Sequence, residues 1–171
     1  MKAIIRTLFA VVVMISITFT LSAQEKKSKK EIRQEQLAQT IELINKGDFK
    51  FEATRAFPQG GRSIDLTTNY GFITFKQANA EGDLPYFGRA YTATYGGDGG
   101  IKFNGEMLNK KMEVNEKKQK ILITFEVRDK DTYQVTMDIG YNGSSSVSIT
   151  SNNRSHISYQ GDIVKVDKKE E

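Results

Sequence analysis

Cysteine and tryptophan are missing from this chain of 171 residues, and histidine occurs once. Without cysteine the chain has no disulfide, thiolate metal site or cysteine nucleophile, and no N-terminal cysteine that could carry a lipid. A single histidine excludes a zinc site built from several histidines of one chain. These absences exclude several enzyme classes, and they argue against a disulfide-rich secreted module.

Only one long apolar run is present, and it lies near the N-terminus. Lys2 and Arg6 precede it, it spans residues 8–21, and Ala23 is a small residue well placed at a cleavage site. This order is typical of a secretory signal peptide, and the run is short for a membrane span, which needs about 20 apolar residues. We therefore predict cleavage after residues 1–23 and export to the periplasm or cell envelope, with an uncleaved anchor as the alternative.

The formal net charge of +4 overstates the basic character of the exported chain. Two positive charges and no negative ones leave with residues 1–23, so the charge falls from +4 to +2. The lysines cluster at 26–30, 110–120 and 165–169, with acidic residues among them. Nucleic-acid binding needs a dense basic face with stacking aromatics. We therefore expect no nucleic-acid partner, and a soluble mature part without a lipid anchor.

The residues that follow the leader predict one helix. Leu37, Ile41 and Ile44 have the i, i+4, i+7 spacing of a single buried helical face. With Gly47 just past the last turn, this spacing predicts a helix at about 30–46.

Period-two alternation of apolar and polar residues follows the helix. Nine side chains on the apolar phase are expected to be buried: Phe49, Phe51, Ile64, Leu66, Phe125, Val127, Val135, Val147 and Ile149. Turn signals separate the runs, and Asn142-Gly143 is the strongest hairpin dipeptide. The absence of a strand–helix–strand rhythm argues against a parallel sheet. We predict a mainly β fold, an antiparallel sandwich or barrel-like sheet preceded by one N-terminal helix.

The predicted organisation has four parts: a signal peptide at 1–23, a charged leader and helix at 24–47, a single β-rich domain at 48–166 and a tail at 167–171. No internal repeat or low-complexity linker divides the β-rich part, so one mature domain is the simplest interpretation.

Residues 84–100 have the most unusual composition, with four aromatic residues and five glycines. Glycine permits close backbone approach, and aromatic rings offer flat apolar faces with a polar tip. One interpretation is a ligand-binding loop, with the candidate binding residues Tyr86, Arg89, Tyr91, Tyr95 and Asp98. The other is a fixed crossover, whose aromatics fill the core and whose glycines turn corners.

The two interpretations apply to different residues of this segment. We favour the structural interpretation for Tyr91 and Gly97. We favour binding for Tyr86, Arg89 and Asp98.

Familiar chemical motifs are incomplete in this chain. Residues 95–100 lack the Gly-Lys-Ser/Thr end of a phosphate loop and the third glycine of a dinucleotide fingerprint. Asp98, or Asp129 with Asp131, offers oxygens to calcium without completing an EF-hand loop. His156 has serines nearby but no nucleophile-elbow pattern, which favours a surface histidine. We predict no metal, no cofactor and no catalytic residue.

Several motifs together resemble a family of small bacterial envelope proteins, the domain-of-unknown-function family 4251. They are residues 84–91 (LPYFGRAY), 95–100 (YGGDGG), 151–154 (SNNR) and 157–159 (ISY), with further likeness at 55–56 and 61–63. The resemblance covers about 40–165 and implies an exported protein. Many relatives are exported or lipid-anchored, but this chain lacks the acceptor cysteine. The family implies no activity, cofactor or catalytic residue.

These observations lead us to expect a non-catalytic envelope protein that binds a ligand or protein partner, with 84–100 as the candidate surface. The alternative is an envelope hydrolase or sugar-processing enzyme with a site around the same loop. A third hypothesis is an interaction subunit that uses the N-terminal helix or an exposed sheet edge.

Overall fold

The structure is a computed structural model that describes residues 27–91 and 99–166. Among the described residues, those up to Ile32 and those from Arg33 onwards belong to two units, and the second unit holds the sheet. The helix and strands have these bounds: α1 Lys29–Asn45, β1 Asp48–Pro58, β2 Ile64–Asp65, β3 Gly71–Lys76, β4 Asn79–Leu84, β5 Ile101–Glu106, β6 Leu108–Asn115, β7 Lys120–Arg128, β8 Thr132–Gly140, β9 Ser144–Ser151 and β10 Ile157–Lys165. In the described ranges, no helix is long and apolar enough to cross a membrane.

Helix α1 confirms the predicted helix to within one residue at each end. A reciprocal capping box opens it. The Ser28 N–H donates to Glu31 Oε2 over 2.8 Å, and the Glu31 N–H donates to Ser28 Oγ over 3.2 Å. The bonds from Ser28 lower the pKa of the Glu31 carboxyl. At the other end Gly47 has a φ of 77°, the left-handed conformation expected past a helix terminus.

The helix buries the predicted face. Leu37 and Ile44 are buried, and Ile41 is partly buried against the same core. The hydroxyl of Thr40 donates to the carbonyl oxygen of Tyr141 over 2.9 Å. This bond ties the helix to the connection between β8 and β9, so the helix is held by polar as well as apolar contacts.

All ten strands belong to one antiparallel sheet, which confirms the predicted mainly β fold. Its order is β5-β4-β3-β1-β10-β9-β8-β7-β6, with β2 paired to β1 outside this path. The sheet curls until β5 approaches the β7–β8 connection. There the Asn104 N–H donates to Asp129 Oδ2 over 3.2 Å, and the rings of Phe103 and Tyr133 lie 5.3 Å apart. Of the two predicted forms, the sheet is therefore the barrel-like one, and it is nearly closed.

The interior of the sheet is filled by the side chains on the apolar phase of its strands. Phe49 stacks on Phe75 with ring centroids 4.3 Å apart, and Phe75 meets the edge of Phe125 at 5.7 Å. Eight of the nine side chains predicted to be buried are buried. The exception, Ile64, is only partly buried, because β2 has two residues and pairs with β1 alone.

The hairpin predicted at Asn142-Gly143 connects β8 to β9. The Gly143 N–H donates to the carbonyl oxygen of Gly140 over 3.0 Å, and Gly143 has a φ of 87°. A residue with a side chain adopts this φ only at a cost, so glycine is required at this turn.

Candidate functional site

The segment 84–100 leaves the end of β4 and returns at the start of β5. The structure describes residues 84–91, 99 and 100 of it. Of the predicted site residues, Tyr86, Arg89 and Tyr91 can therefore be placed. Tyr95, Asp98 and Gly97 lie outside the described residues.

A closed ring of hydrogen bonds anchors the first part of this segment. The backbone N–H of Arg89 donates to Ser155 Oγ over 3.0 Å, and Ser155 Oγ lies 2.9 Å from Tyr86 Oη. The Tyr86 hydroxyl in turn donates to the carbonyl oxygen of Arg89 over 2.8 Å. If Ser155 donates to Tyr86, every proton in the ring is used, and buried polar groups that are fully paired hold a single conformation.

Further contacts join the same two stretches of chain. The Ser155 N–H donates to the Arg89 carbonyl oxygen over 2.9 Å, and the Tyr91 N–H donates to that of Asn153 over 2.8 Å. The buried hydroxyl of Tyr159 donates to the Pro85 carbonyl oxygen over 2.9 Å. The pKa of the Tyr159 hydroxyl is far above its usual value, mainly because the group is buried and to a smaller extent because Tyr86 lies nearby. We call residues 84–91 and 151–159, joined in this way, the frame.

Gly88 and Arg154 complete the frame. A Cβ on Gly88 would lie 2.4 Å from the Tyr86 hydroxyl and 2.7 Å from Ser155 Oγ, so the ring of hydrogen bonds leaves no space for a side chain. The guanidinium of Arg154 lies 5.0 Å from the Tyr86 ring centroid and donates to the Gly99 carbonyl oxygen. Arg154 therefore links the beginning of the segment to its end.

The frame contains three of the motifs that carry the family resemblance, those at 84–91, 151–154 and 157–159. Residues 84–91 and 151–159 are far apart in sequence, with Tyr86 and Ser155 separated by 69 positions, yet they form one contact network. In this chain the two stretches therefore form one local architecture rather than an isolated loop.

The predicted site residues differ in what they expose. Tyr86 is partly buried, and its hydroxyl is turned into the frame. Arg89 contributes its backbone to the frame while its side chain is exposed. Tyr91 is 65% exposed, so the interpretation that its ring fills the core is wrong. Its backbone pairs with the turn at 152–153, and that pairing leaves its ring at the surface.

A crevice of about 300 Å³ lies beside the frame, between the turn before β3 and the end of β4. Its lining residues are Asn69, Tyr70, Asp83, Leu84, Pro85, Tyr86, Phe87, Gly100 and Lys102. Tyr70 is 82% exposed and Phe87 is 40% exposed, so two aromatic rings at the crevice are open to solvent. We call this feature the aromatic crevice.

An ion pair supplies the charge of the aromatic crevice. Lys102 Nζ lies 3.3 Å from Asp83 Oδ2, across neighbouring positions of β4 and β5. Both side chains are about half exposed, so they can still donate to and accept from a ligand. Because the two charges are opposite, the pair adds no net charge to the crevice.

Sequence reasoning missed most of the aromatic crevice. Asp83 and Lys102 are ordinary charged strand residues in the sequence, and only the β4–β5 register brings them together. The exposure of Tyr70 was predictable from the sequence, because Tyr70 lies in the turn Asn69-Tyr70-Gly71 and turns lie at the surface.

The other chemical candidates lie elsewhere. His156 is exposed, as predicted, and its ring nitrogens lie 3.4 Å from the hydroxyls of Ser148 and Thr150 rather than beside the serines nearest in sequence. Asp129 accepts a bond from β5, as part of the closure of the sheet. Within residues 27–91 and 99–166, no three acidic or histidine side chains come together as metal ligands do.

A larger groove of about 410 Å³ crosses the outer face of β7–β10. The small side chains of Ser144 and Ser146 form part of its lining, together with Asp162 and the pair Lys120–Asp138, whose Nζ and Oδ2 atoms lie 2.8 Å apart. The residues that line it include no aromatic ring. The aromatic crevice is therefore the better candidate, because it combines apolar faces with polar groups.

Comparison with known proteins agrees with the fold. The sequence profile of a family described as a domain of unknown function (DUF4251) matches residues 31–163. No curated protein matches the chain. A crystal structure of a DUF4251 family protein from Bacteroides eggerthii DSM 20697 is similar, with a TM-score of 0.59 and 18% sequence identity, over 76% of this chain and 87% of that chain. At this identity the likeness concerns the fold alone.

Proposed function

The chain belongs to the DUF4251 family, and we propose that it is an exported, non-catalytic protein that binds a small neutral saccharide in the aromatic crevice. One observation carries the proposal. The exposed rings of Tyr70 and Phe87 border the same crevice as the compensated pair Asp83–Lys102.

The chemistry of the crevice matches a sugar ring. One face of a pyranose presents C–H groups that pack on an aromatic ring, and Tyr70 and Phe87 offer such surfaces. The hydroxyls at its edge need both a donor and an acceptor, which Lys102 and Asp83 provide. Hydrogen bonds to charged groups are the stronger ones, so the pair would fix the orientation of the ligand.

A stable frame favours binding, because a site that is already ordered spends little free energy on ordering when the ligand arrives. Tyr86 lies in both the frame and the crevice lining, and this fixes the wall that Phe87 extends. We propose that the exposed side chains of Arg89 and Tyr91 contact the parts of a longer ligand that project from the crevice.

The proposal of export rests on residues 1–23, whose pattern is typical of a signal peptide. The start of helix α1 supports it. The capping box marks the start of helix α1 at Ser28, five residues after Ala23, so cleavage there would leave the helix intact.

Ligand binding is tested by thermal shift and then calorimetry, with a panel of neutral mono- and oligosaccharides, peptides and divalent ions. We expect a neutral saccharide to stabilise the wild type. Tyr70→Ala and Phe87→Ala should each abolish this shift, and Tyr70→Ala should leave the melting temperature of the free protein unchanged, since its side chain is 82% exposed. Lys120→Ala, in the larger outer groove, is the control and should bind normally.

Three results would overturn the proposal. They are no shift with any saccharide, binding that survives both aromatic substitutions, and binding that is lost only with Lys120→Ala. Export is tested separately, by mass spectrometry of the protein from its native cells. A mature N-terminus at Gln24 is expected, and an intact Met1 on a membrane-bound species would contradict it.

A further inference from the structure

The two edge strands of the sheet, β5 and β6, differ in how accessible they are to another strand. The β5 edge turns toward the β7–β8 connection, where a Cβ on Gly105 would lie 3.3 Å from Val127 and 3.4 Å from the Arg128 carbonyl oxygen. Strand β6 lies at the other edge, and in the described part of the chain only β7 pairs with it. An edge strand offers a row of backbone donors and acceptors to any strand that can align with it.

The usable part of the β6 edge is short. The register with β7 shifts between Leu108 and Lys111, and Asn109 has a φ of 54°. Such an irregularity bends the strand and ends regular pairing. The regular stretch is therefore 111–115, which has the sequence KMEVN.

From this edge we propose that the chain self-associates, with β6 pairing antiparallel to β6 of a second copy about a two-fold axis at Met112. A two-fold axis perpendicular to the sheet keeps each side chain on its own face. Because side chains alternate between the two faces of a strand, two residues that face each other must both be even-numbered or both be odd-numbered. The axis therefore passes through one residue and its copy, and not between two residues.

The charges on β6 select the register. With the axis at Met112, Lys111 faces Glu113 of the second copy, and Glu113 faces its Lys111, which gives two opposite-charge pairs. An axis at Lys110 or Lys111 places two lysines opposite each other, and an axis at Glu113 places two glutamates opposite each other. An axis at Val114 sets Glu113 against Asn115 and leaves Lys111 without a partner in β6. Of the registers centred on 110–114, the one at Met112 alone sets opposite charges against each other within β6.

Two further observations fit this register. Lys111 and Glu113 are exposed, and neither has an ion-pair or hydrogen-bond partner among the described residues, so both are available. Val114 is 43% exposed and Leu122, beside Glu113 in the β6–β7 pairing, is 38% exposed. In the proposed dimer Val114 lies diagonally across from Met112 of the second copy, whose long side chain can cover it.

Charge reversal tests the register. We expect sedimentation equilibrium to show a concentration-dependent dimer. Lys111→Glu and Glu113→Lys should each weaken it about tenfold, because either change makes two like-charge pairs. The double swap should restore wild-type association. Lys50→Glu is the control, since Lys50 lies beside Glu52 on the inner strand β1 and its reversal changes the net charge equally.

A second measurement uses the absence of cysteine. In the proposed register residue 112 faces residue 112 of the second copy, whereas residue 114 does not face residue 114 of the second copy. Met112→Cys should therefore form a disulfide dimer on mild oxidation, and Val114→Cys should form far less, because the two thiols must come within bonding reach. A monomer at every concentration, a failed rescue by the double swap, or equal crosslinking of both variants would overturn the proposal.

Discussion

The frame and the aromatic crevice lie side by side and use the same residue types for different purposes. In the frame the hydroxyl of Tyr86 donates to the Arg89 carbonyl oxygen, and that of Tyr159 donates to the Pro85 carbonyl oxygen on another stretch of chain. At the surface the rings of Tyr70 and Tyr91 are 82% and 65% exposed. A tyrosine that bonds inward stabilises the fold, and one that faces water is available to a ligand.

This difference shows that a cluster of aromatic residues and glycines need not have a single role. Within residues 84–91, Gly88 is required by close packing, Phe87 extends the crevice, and Arg89 divides its role between backbone and side chain. These residues are neighbours in the sequence, but the role of each depends on its burial and on its hydrogen-bond partners.

The largest contrast is expected between alanine variants of two tyrosines in the same segment. Tyr86→Ala should lower the free energy of unfolding by roughly 2–4 kcal/mol, somewhat less than for a fully buried aromatic ring. Tyr91→Ala should change it by about 0.5 kcal/mol or less, as an exposed side chain does. Urea melts of both variants measure this. Similar losses would remove the distinction between frame and surface.

Ser155→Ala tests the hydrogen-bond ring itself. It leaves the Arg89 N–H and the Tyr86 hydroxyl without their shared partner, which should cost about 1–3 kcal/mol. Ser146→Ala, an exposed serine on β9, is the control and should cost about 0.5 kcal/mol or less. Adding Tyr86→Phe to Ser155→Ala should cost less than the sum of the two single changes, because both act on one network. Strict additivity would contradict the ring.

Tyr159→Phe probes the frame through pH. At neutral pH it removes one hydrogen bond to Pro85 and should cost about 1 kcal/mol. Because burial raises the pKa of Tyr159 in the folded state, the folded protein keeps this proton when the unfolded chain loses it. Stability from the wild-type hydroxyl is therefore full below about pH 10 and falls as the pH rises further.

The Tyr159→Phe variant lacks this alkaline loss, so its deficit relative to wild type should shrink above about pH 10 in denaturant melts. Tyr70→Phe serves as the control at neutral pH, where it should leave stability unchanged because the ring is exposed. A deficit that stays constant up to pH 11 would mean that the Tyr159 hydroxyl is not held in the protonated form by the fold.

Much of the fold was predictable, because alternation specifies which face of a strand is buried. Strands β4 and β5 were not recognised. Their inward positions include Gly82, where a Cβ would lie 2.5 Å from the ring of Phe103, so a small residue is needed where the pattern demands a large one. Inward glycine next to polar residues is indistinguishable in sequence from a turn.

The site was less predictable than the fold. The cluster at 84–91 was visible, but the partner of Tyr86 is Ser155, and no local pattern links two residues so far apart. Exposure is likewise a property of the assembled sheet. Tyr91 has the alternation of an inward strand residue, yet its ring lies at the surface.

The smallest expected effect is at Arg89, where one position spans both regions. Its side chain is exposed, whereas its N–H donates to Ser155 Oγ and its carbonyl oxygen accepts from Ser155 and Tyr86. Arg89→Ala keeps the backbone groups and should change stability by about 0.5 kcal/mol or less. Arg89→Pro removes the N–H and should cost at least as much as Ser155→Ala. Denaturant melts of both variants separate backbone from side chain at a single residue. A loss above about 1 kcal/mol for Arg89→Ala would place the guanidinium within the frame, and a stable Arg89→Pro would show that the N–H bond to Ser155 is dispensable.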